Sequence, residues 1–347
     1  MRHAETPGSG DNTFLTDQFS RTISYLRLSL TDQCNLRCRY CTPRGEFDKL
    51  ASDELLSYEE LFRVVHLAVG MGIRKLRLTG GEPLVRRHVL NFIQRLGKIS
   101  GLDDIRLTTN GVMLEQMGAE LLAAGIRTIN VSLDTMRPEL FAEITGKDFF
   151  HQVWNGIQHA LALGFSPVKI NVVAMRGVND AEFIDFARLT LDYPIQVRFI
   201  EFMPIGEHST WGKDRFISAE EIMELLSPLG ELVELPRRHL DGPARIYKLA
   251  DASPDMGRIG FISPISHHFC DQCNRLRLTS EGRLRACLLS DVETDLKAVL
   301  RKGASDDEVC QTIRDTIAAK PKGHVLQDRL SEGATSGCHG RMSRIGG

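Results

Sequence analysis

No apolar run in this 347-residue chain approaches the roughly 20 residues needed to span a bilayer. The opening stretch, MRHAETPGSGDNTF, lacks an apolar h-region and carries Glu5 and Asp11, so it reads as neither signal peptide nor transit peptide. A cytoplasmic protein is the expectation. Net charge is also scarce: 43 Lys and Arg against 45 Asp and Glu leave −2. That removes any global reason to expect nucleic acid or a membrane surface as partner, and any basic site must be local. No internal repeat is present. The length allows one large core with a smaller appendage, and 42% hydrophobic with 25% charged residues is ordinary for a globular protein. Residues 1–20 are polar and contain Gly, which predicts a mobile tail.

A fourth cysteine is missing twice. Of eight cysteines, six fall in two triplets, Cys34, Cys38, Cys41 and Cys270, Cys273, Cys287, while Cys310 and Cys338 stand apart. In a reducing cytosol, clustered cysteines mean metal rather than disulfides. The first triplet has the spacing C-x₃-C-x₂-C. Three thiolates hold three irons of a cubane cluster and leave one iron open to an exogenous ligand; a zinc site with a distant fourth ligand is the alternative. The second triplet has the spacing C-x₂-C-x₁₃-C. There a zinc ribbon could draw its fourth ligand from His267, His268 or Cys310.

Between the triplets the chain alternates strand and helix patterns. Short apolar or β-branched runs predict strands at Tyr25–Leu30, Lys75–Leu78, Ile105–Thr108, Thr128–Leu133, Val168–Val173 and Gln196–Phe202. Helical periodicity covers Tyr58–Val69, Glu115–Ala124 and Val153–Leu163, each followed by a glycine suited to a C-cap: Gly72, Gly125 and Gly164. Six such units predict an α/β fold, a partial (β/α)6 TIM-like barrel open on one side, with a doubly wound sheet as the alternative. After Gly206 come a capped helix over Ser218–Leu226, hairpin-like stretches at Leu232–Leu235, Arg245–Leu249 and Arg258–Ile262, and a strand pair near Arg275–Thr279 and Leu284–Cys287. This reads as an α+β extension, a second layer covering the open side of the barrel. Asp291–Ile317 reads as helix and the tail from Leu326 as irregular. The expected division is a tail over 1–20, the barrel over 21–215, the extension over 216–325 and a C-terminal Gly-Gly tail over 326–347.

Cations recur on the strands. Arg27, Lys75, Arg77, Lys169 and Arg198 lie in or beside apolar stretches, and Arg275 and Arg277 follow the second triplet. Lys and Arg are rarely buried without partners. Their convergence on one barrel mouth points to an anion, and guanidinium groups match a triphosphate well. Pairing with acidic residues on neighbouring helices is the alternative reading.

The first triplet, with Tyr40 before its last cysteine and after a first barrel strand, resembles the signature of the radical S-adenosylmethionine (SAM) superfamily. Thr79-Gly80-Gly81-Glu82-Pro83 resembles that superfamily's GGEP motif, which meets the amino group of SAM. From the residues themselves, the glycines let backbone approach a ligand and Glu82 can receive an ammonium. Ser132 and Met203 match further SAM contacts. Over residues 21–347 the chain resembles one family, the GTP 3′,8-cyclases of molybdenum cofactor biosynthesis. The likeness rests on Leu26-Arg-Leu-Ser-Leu-Thr-Asp, Leu78-Thr-Gly-Gly-Glu-Pro-Leu-Val-Arg-Arg87, Leu107-Thr-Thr-Asn-Gly111, Arg198-Phe-Ile-Glu-Phe-Met203, the second triplet and Ile345-Gly-Gly347. Thr42 departs from the Met usual there, and Gly323–Arg341 matches loosely.

The resemblance implies a cofactor-borne radical with no catalytic protein side chain. It implies a [4Fe–4S] cluster on Cys34, Cys38 and Cys41 that cleaves SAM, with Tyr40, Gly81, Ser132 and Met203 at SAM. It implies a second [4Fe–4S] cluster on Cys270, Cys273 and Cys287 that meets the guanine of GTP. It places Arg27, Arg77, Thr108, Lys169, Arg275, Leu276 and Arg277 at GTP, with Lys75 and Arg198 as weaker candidates. Gly346 and Gly347 would enter the active site, presenting Arg341 or Arg344. Implied partners are a flavodoxin or ferredoxin as electron donor, a second copy in a homodimer, and cyclic pyranopterin monophosphate synthase for the product. The competing readings are a peptide-modifying radical SAM enzyme, which would carry more C-terminal cysteines, and a zinc module that binds nucleic acid, which would be basic.

Overall fold

The computed structural model describes residues 14–41, 49–205, 211–236, 242–253, 255–324, 326, 338 and 340–346. Thr42 and Gly347 lie outside the described residues, as do residues 1–13. Of the stretch 1–20 expected as a tail, the described part is held: Leu15 is buried in the core, Thr16 bridges Thr22, and Asp17 pairs with Arg21 at 2.6 Å.

Six strands follow one another with helices between them: β1 (Tyr25–Ser29), β2 (Lys75–Thr79), β3 (Asp104–Thr109), β4 (Thr128–Ser132), β5 (Val168–Ala174) and β6 (Ile195–Glu201). The covering helices are α1 (Tyr58–Gly70), α2 (Val89–Leu96), α3 (Leu114–Ala123), α4 (Pro138–Thr145), α5 (Phe150–Ala162) and α6 (Phe183–Asp192). The sequence explains their ends. Ser57 and Glu60 form a capping box at α1, and Gly72, Gly125 and Gly164 take positive φ where α1, α3 and α5 turn back to a strand.

The C-terminal third differs from the expected separate layer: it extends the same sheet at both edges. Its elements are α7 (Ala219–Leu226), β7 (Leu232–Glu234), β8 (Arg245–Leu249), β9 (Arg258–Ile262), β10 (Arg275–Leu278), β11 (Arg283–Arg285) and β12 (Thr294–Asp295). β9 pairs with β6 and β10 with β1, both parallel, so the order β10-β1-β2-β3-β4-β5-β6-β9 is one parallel run. β11 and β8 then continue the two edges antiparallel, and β9 and β10 never meet. The result is a partial barrel whose sheet does not close. Asp291–Ile317 is not one helix. After β12, α8 (Leu296–Arg301) and α9 (Asp306–Ala318) are split at Gly303, which has φ +81°, and Ser305 restarts the helix with a capping box to Glu308. The tail holds a short helix, α10 (Met342–Ile345).

Parallel strands covered on both faces normally read as continuous apolar runs. These alternate instead. Leu26, Leu28, Leu76, Leu78, Leu107, Ile129, Val131, Ile170, Val172, Val197 and Phe199 point under the helices and are almost fully buried. Each such Leu, Val or Phe contributes about 1.5–3 kcal/mol by leaving water. The intervening positions are polar and line the lumen. The fold therefore has a greasy outer shell for stability and a charged interior that does nothing for it.

Candidate active site

Strand register sets the charge pattern of the lumen. Arg277, Arg27, Arg77 and Arg106 are neighbours across β10, β1, β2 and β3, and one rung earlier come Arg275, Tyr25, Lys75 and Asp104. Lys169 on β5 and Arg198 on β6 complete the ring. Asp104 is the one carboxylate in these rungs, and it holds Arg106 at 2.6 Å and Lys75 at 3.8 Å. Arg77 donates to the Tyr25 hydroxyl and, at 3.1 Å, to Thr108. Burial pushes Lys169 down to about 5, and the cations Arg198, Arg106, Arg77 and Lys75 push the same way. Lys75 falls to about 8 for the same two reasons, with Arg106 the leading neighbour. Each partly desolvated charge costs several kcal/mol unless it is compensated. Eight basic side chains facing one carboxylate are a poor way to stabilise a barrel and a good way to bind a polyanion. Asn130 Oδ1 and Asn171 Oδ1, buried on the same surface, have no protein partner.

The cavity is lined by Arg27, Arg77, Thr108, Met203, Arg275 and Arg277, and by all three cysteines of the second triplet. Lys169 lies lower, in a recess toward the barrel floor with Gln196, and Arg106 and Arg198 border both spaces. Strand alternation turns the side chain of Leu276 into the apolar core, 1% exposed, rather than into the cavity.

The first triplet sits on the loop leaving β1. Arg37 N–H donates to the Thr145 carbonyl and Arg39 N–H to that of Ile144, which docks the loop on the end of α4. The glycine pair fixes its other side. A Cβ on Gly80 would lie 2.6 Å from the Thr31 carbonyl oxygen, and one on Gly81 would lie 2.2 Å from that of Gln33. Glycine is therefore required for the 79–82 turn to pack against the cysteine loop. The Glu82 side chain is buried in this turn. Its carboxylate accepts from Thr109 Oγ1 (2.8 Å), Asn110 N (2.6 Å) and Leu84 N (3.1 Å), tying the β2 and β3 loops together. Burial nevertheless lifts it to about 7.

The three thiols form no disulfide and are half-buried. Cys34 Sγ receives Leu36 N–H at 3.4 Å and the Asn110 amide at 3.7 Å, and burial pushes its thiol up to about 11. Tyr40 donates to Asp134 Oδ2 at 2.6 Å, and Asp134 also takes Val173 N–H at 2.8 Å. Ser132 ends β4 opposite Asn171. Among the described residues no three His, Cys, Asp or Glu side chains converge on a single ion. The thiol donors with their N–H···S bonds instead fit a cubane, whose irons spread the ligands apart.

The second triplet is braced by cations from distant segments. Arg275 donates to Cys273 Sγ at 3.5 Å and stacks on Phe269, with its guanidinium carbon 4.7 Å from the ring centre. Lys320, 2% exposed, donates to the carbonyls of Arg275 (2.9 Å) and Ala286. Arg21 donates to the carbonyl of Cys270 at 2.8 Å. Burial raises Cys273, but Arg275 and Lys320 outweigh it and hold the thiol down at about 6. This donor set fits an anionic iron–sulfur cluster. The proposed fourth ligands are otherwise placed. His267 pairs with Glu220 at 3.0 Å, Cys310 lies on α9 beside Arg314, and His268 lines the cavity with its ring against His324.

The tail reaches the same space. The Gly346 carbonyl accepts from Arg277 at 2.8 Å and from Arg27 at 3.5 Å. Gly346 has φ +81°, and a Cβ there would lie 2.2 Å from Thr79 Oγ1. Arg344 is held by Glu281. Cys338 is buried beneath the tail in an apolar cluster with Ile205, Ile265 and Leu289.

Sequence reasoning passed over Tyr25, Asn130, Asn171 and Arg106, all of which the alternation on β1, β3, β4 and β5 could have shown. It also passed over Lys320 and Arg21, for which no local signal exists.

The radical SAM superfamily profile matches residues 28–190, and the profile described as Molybdenum Cofactor Synthesis C matches residues 195–326. The GTP 3′,8-cyclase of Desulforamulus reducens is 48% identical over 334 residues, 96% of this chain and 100% of the relative. That of Heliobacterium modesticaldum is 47% identical over 315 residues, 90% and 95% of the two chains. Among solved structures, Streptococcus suis SuiB bound to its precursor peptide SuiA superposes with TM-score 0.61 at 14% identity, covering 95% of this chain and 76% of SuiB. That likeness is one of fold.

Proposed function

We infer, from the premise that the chain belongs to the GTP 3′,8-cyclase family, that GTP is cyclised in the lumen between the two cysteine triplets. The activity is that of a radical SAM lyase: conversion of GTP to (8S)-3′,8-cyclo-7,8-dihydroguanosine 5′-triphosphate, the first step of molybdenum cofactor biosynthesis. The observation that carries the placement is the arginine rung Arg277–Arg27–Arg77–Arg106, set in register between the triplets.

SAM and a [4Fe–4S] cluster, when bound, supply the one-electron cleavage and the 5′-deoxyadenosyl radical that takes hydrogen from C3′ of the ribose. Cys34, Cys38 and Cys41 would hold that cluster, on a loop that Asn110 and the Gly80–Gly81 turn keep in place. Tyr40, Gly81, Ser132 and Met203 would border SAM. Arg27, Arg77, Thr108 and Lys169 would bind the triphosphate, which fixes C3′ at one end of the lumen. Cys270, Cys273 and Cys287 would hold a second [4Fe–4S] cluster against the base, flanked by Arg275 and Arg277. Gly346 would close the space between them. The division at 21–215 and 216–325 then puts the SAM-cleaving cluster and the triphosphate contacts on the first part and the cluster that meets the base on the second, although both parts share one sheet. The donor flavodoxin or ferredoxin, the homodimer, the transfer of product to cyclic pyranopterin monophosphate synthase and the cytoplasmic setting rest on the family resemblance. No described helix is long and apolar enough to cross a membrane.

Two measurements test this placement. GTP should bind far better than GMP or guanosine, and Arg77→Ala should weaken GTP binding by about 10–150-fold, the roughly 1.5–3 kcal/mol of a hydrogen bond to a charged group. Equal binding of GTP and guanosine contradicts the triphosphate role. Anaerobic protein should carry about eight iron and eight sulfide, four of each per cubane. Changing Cys270, Cys273 and Cys287 together to Ala should halve both. Full iron retention, or zinc in the wild type, contradicts the second cluster.

A further inference from the structure

Most buried acidic groups near the lumen are committed to backbone. Glu82 holds the N–H groups of Asn110 and Leu84, Asp134 holds that of Val173, and Glu201 those of Ile265 and Ser266. Removing any of them would unpin a loop. Tyr25 is different. It is 4% exposed at the start of β1, lines the cavity, and its hydroxyl accepts from Arg77 Nε. It also bonds the Arg27 side chain. Its ring lies under Lys75, whose Nζ is 4.9 Å from the ring centre, and beside Arg77 at 5.9 Å. Of these partners, Arg77 and Arg27 are placed here at the triphosphate, and Lys75 is the weaker candidate beside them.

We propose that Tyr25 is a positioning residue for the substrate: its hydroxyl and ring preset Arg77, Arg27 and Lys75 as one phosphate-binding face and so determine how strongly the site prefers a triphosphate to shorter phosphates. The proposal rests on the GTP reading above and extends it to a residue which that reading does not use. Like-charged side chains on adjacent rungs repel, and each would turn away if nothing neutral or negative lay between them. Asp104 cannot do this for Arg77 and Arg27, because it is engaged by Arg106 and Lys75. The phenol oxygen supplies the acceptor, and the ring face supplies a surface on which an ammonium and a guanidinium are favourable. Preset in this way, the cations lose less side-chain freedom when the phosphates arrive, which is where the affinity comes from.

The charges around Tyr25 agree with this role. It faces Arg27 on its own strand, Lys75 and Arg77 on β2, Arg275 on β10, and Asp104 with Arg106 on β3. Burial raises the phenol, but Arg77, Arg27 and Lys75 outweigh that and bring it down to about 7. Above that pH the empty site carries its own counter-anion. A bound triphosphate replaces that negative charge, so the phenolate takes a proton from solvent as GTP enters.

The test is Tyr25→Phe, which keeps the ring and removes the oxygen. Iron content and melting temperature serve as controls. Calorimetry with GTP and GDP at pH 8, in buffers of different ionisation enthalpy, gives affinity and proton uptake together. GTP affinity should fall about 10-fold, the loss of one hydrogen bond to a charged group. GDP affinity should fall less, KM should rise with kcat little changed, and proton uptake on GTP binding should drop. The comparison is made in a Lys75→Met background, because Tyr25 raises Lys75 and the two proton uptakes would otherwise mix. Unchanged GTP affinity with an unchanged GTP-to-GDP ratio overturns the proposal. So does a loss of kcat or iron at constant KM, which marks a structural role. If the wild type itself fails to bind GTP, the reading of the site falls first, and this control separates the two failures. If Tyr25→Phe does not fold, a fluorinated tyrosine at position 25 decides: it keeps the oxygen and acidifies the phenol, so the proton uptake should move to lower pH, and an unmoved profile overturns the proposal.

Discussion

Cys34→Ala protein, reduced with dithionite and supplied with SAM, should release no measurable 5′-deoxyadenosine, while the wild type releases it readily. This is the largest effect expected of any single substitution here. A cubane held by three thiolates has no spare ligand, so losing one loses the cluster rather than weakening it. Cys34 is also the thiol with the most support around it, from the Leu36 N–H and the Asn110 amide. The fold should survive. Cys34 packs only at the edge of the core, half-buried, and its loop is separately held by Thr145 and Ile144. Iron should fall by about half, to the four irons of one cubane. Undiminished 5′-deoxyadenosine from this variant would remove the first triplet from the SAM-cleaving role.

Deleting Gly346 and Gly347 should nearly abolish conversion of GTP while leaving iron content and melting temperature as they were. Gly346 has no side chain to pack, and the buried anchor of the tail, Ile345, remains, so little stability is at stake. What is lost is positional. The Gly346 carbonyl bridges Arg277 and Arg27, one from each side of the β10–β1 pair, and its backbone lies against Thr79 where the SAM-side turn begins. Misplacing groups by about 1 Å at such a point costs on the order of 100-fold in rate. Gly346→Val should behave like the deletion, because its Cβ would meet Thr79 Oγ1 and its φ of +81° suits glycine. Since the role is positional, an added peptide copying the last residues should partly restore turnover of the truncated protein. Normal turnover by that protein would make the tail a bystander.

The barrel half of the fold is legible because its signals are local. Each strand from β1 to β6 alternates leucine-like and polar residues, α1 starts at the Ser57–Glu60 box, and α1, α3 and α5 are followed by glycines of positive φ. The two extra parallel strands are not legible. β9 and β10 look like members of nearby hairpins, and nothing in Arg275–Leu278 says that its partner is Tyr25–Leu28, some 250 residues earlier. Non-local pairing leaves no mark on a sequence read segment by segment. The site divides in the same way. Both triplets and the arginines can be read from spacing and from oddly placed charge. Which side of a strand a residue takes is harder: the side chain of Leu276 lies in the core, and the Glu82 carboxylate accepts from the loop after β3. Lys320 and Arg21 brace the second triplet from sites 47 and more than 200 residues away from Cys273, where composition gives no hint.

The most direct measurement uses GTP deuterated at C3′ of the ribose. Anaerobic, reduced protein is given this substrate with SAM, and both products are weighed by mass spectrometry. The account predicts that 5′-deoxyadenosine gains one deuterium as the cyclised nucleotide triphosphate forms in equal amount. Unlabelled 5′-deoxyadenosine, or SAM cleavage with no cyclised nucleotide, would contradict it.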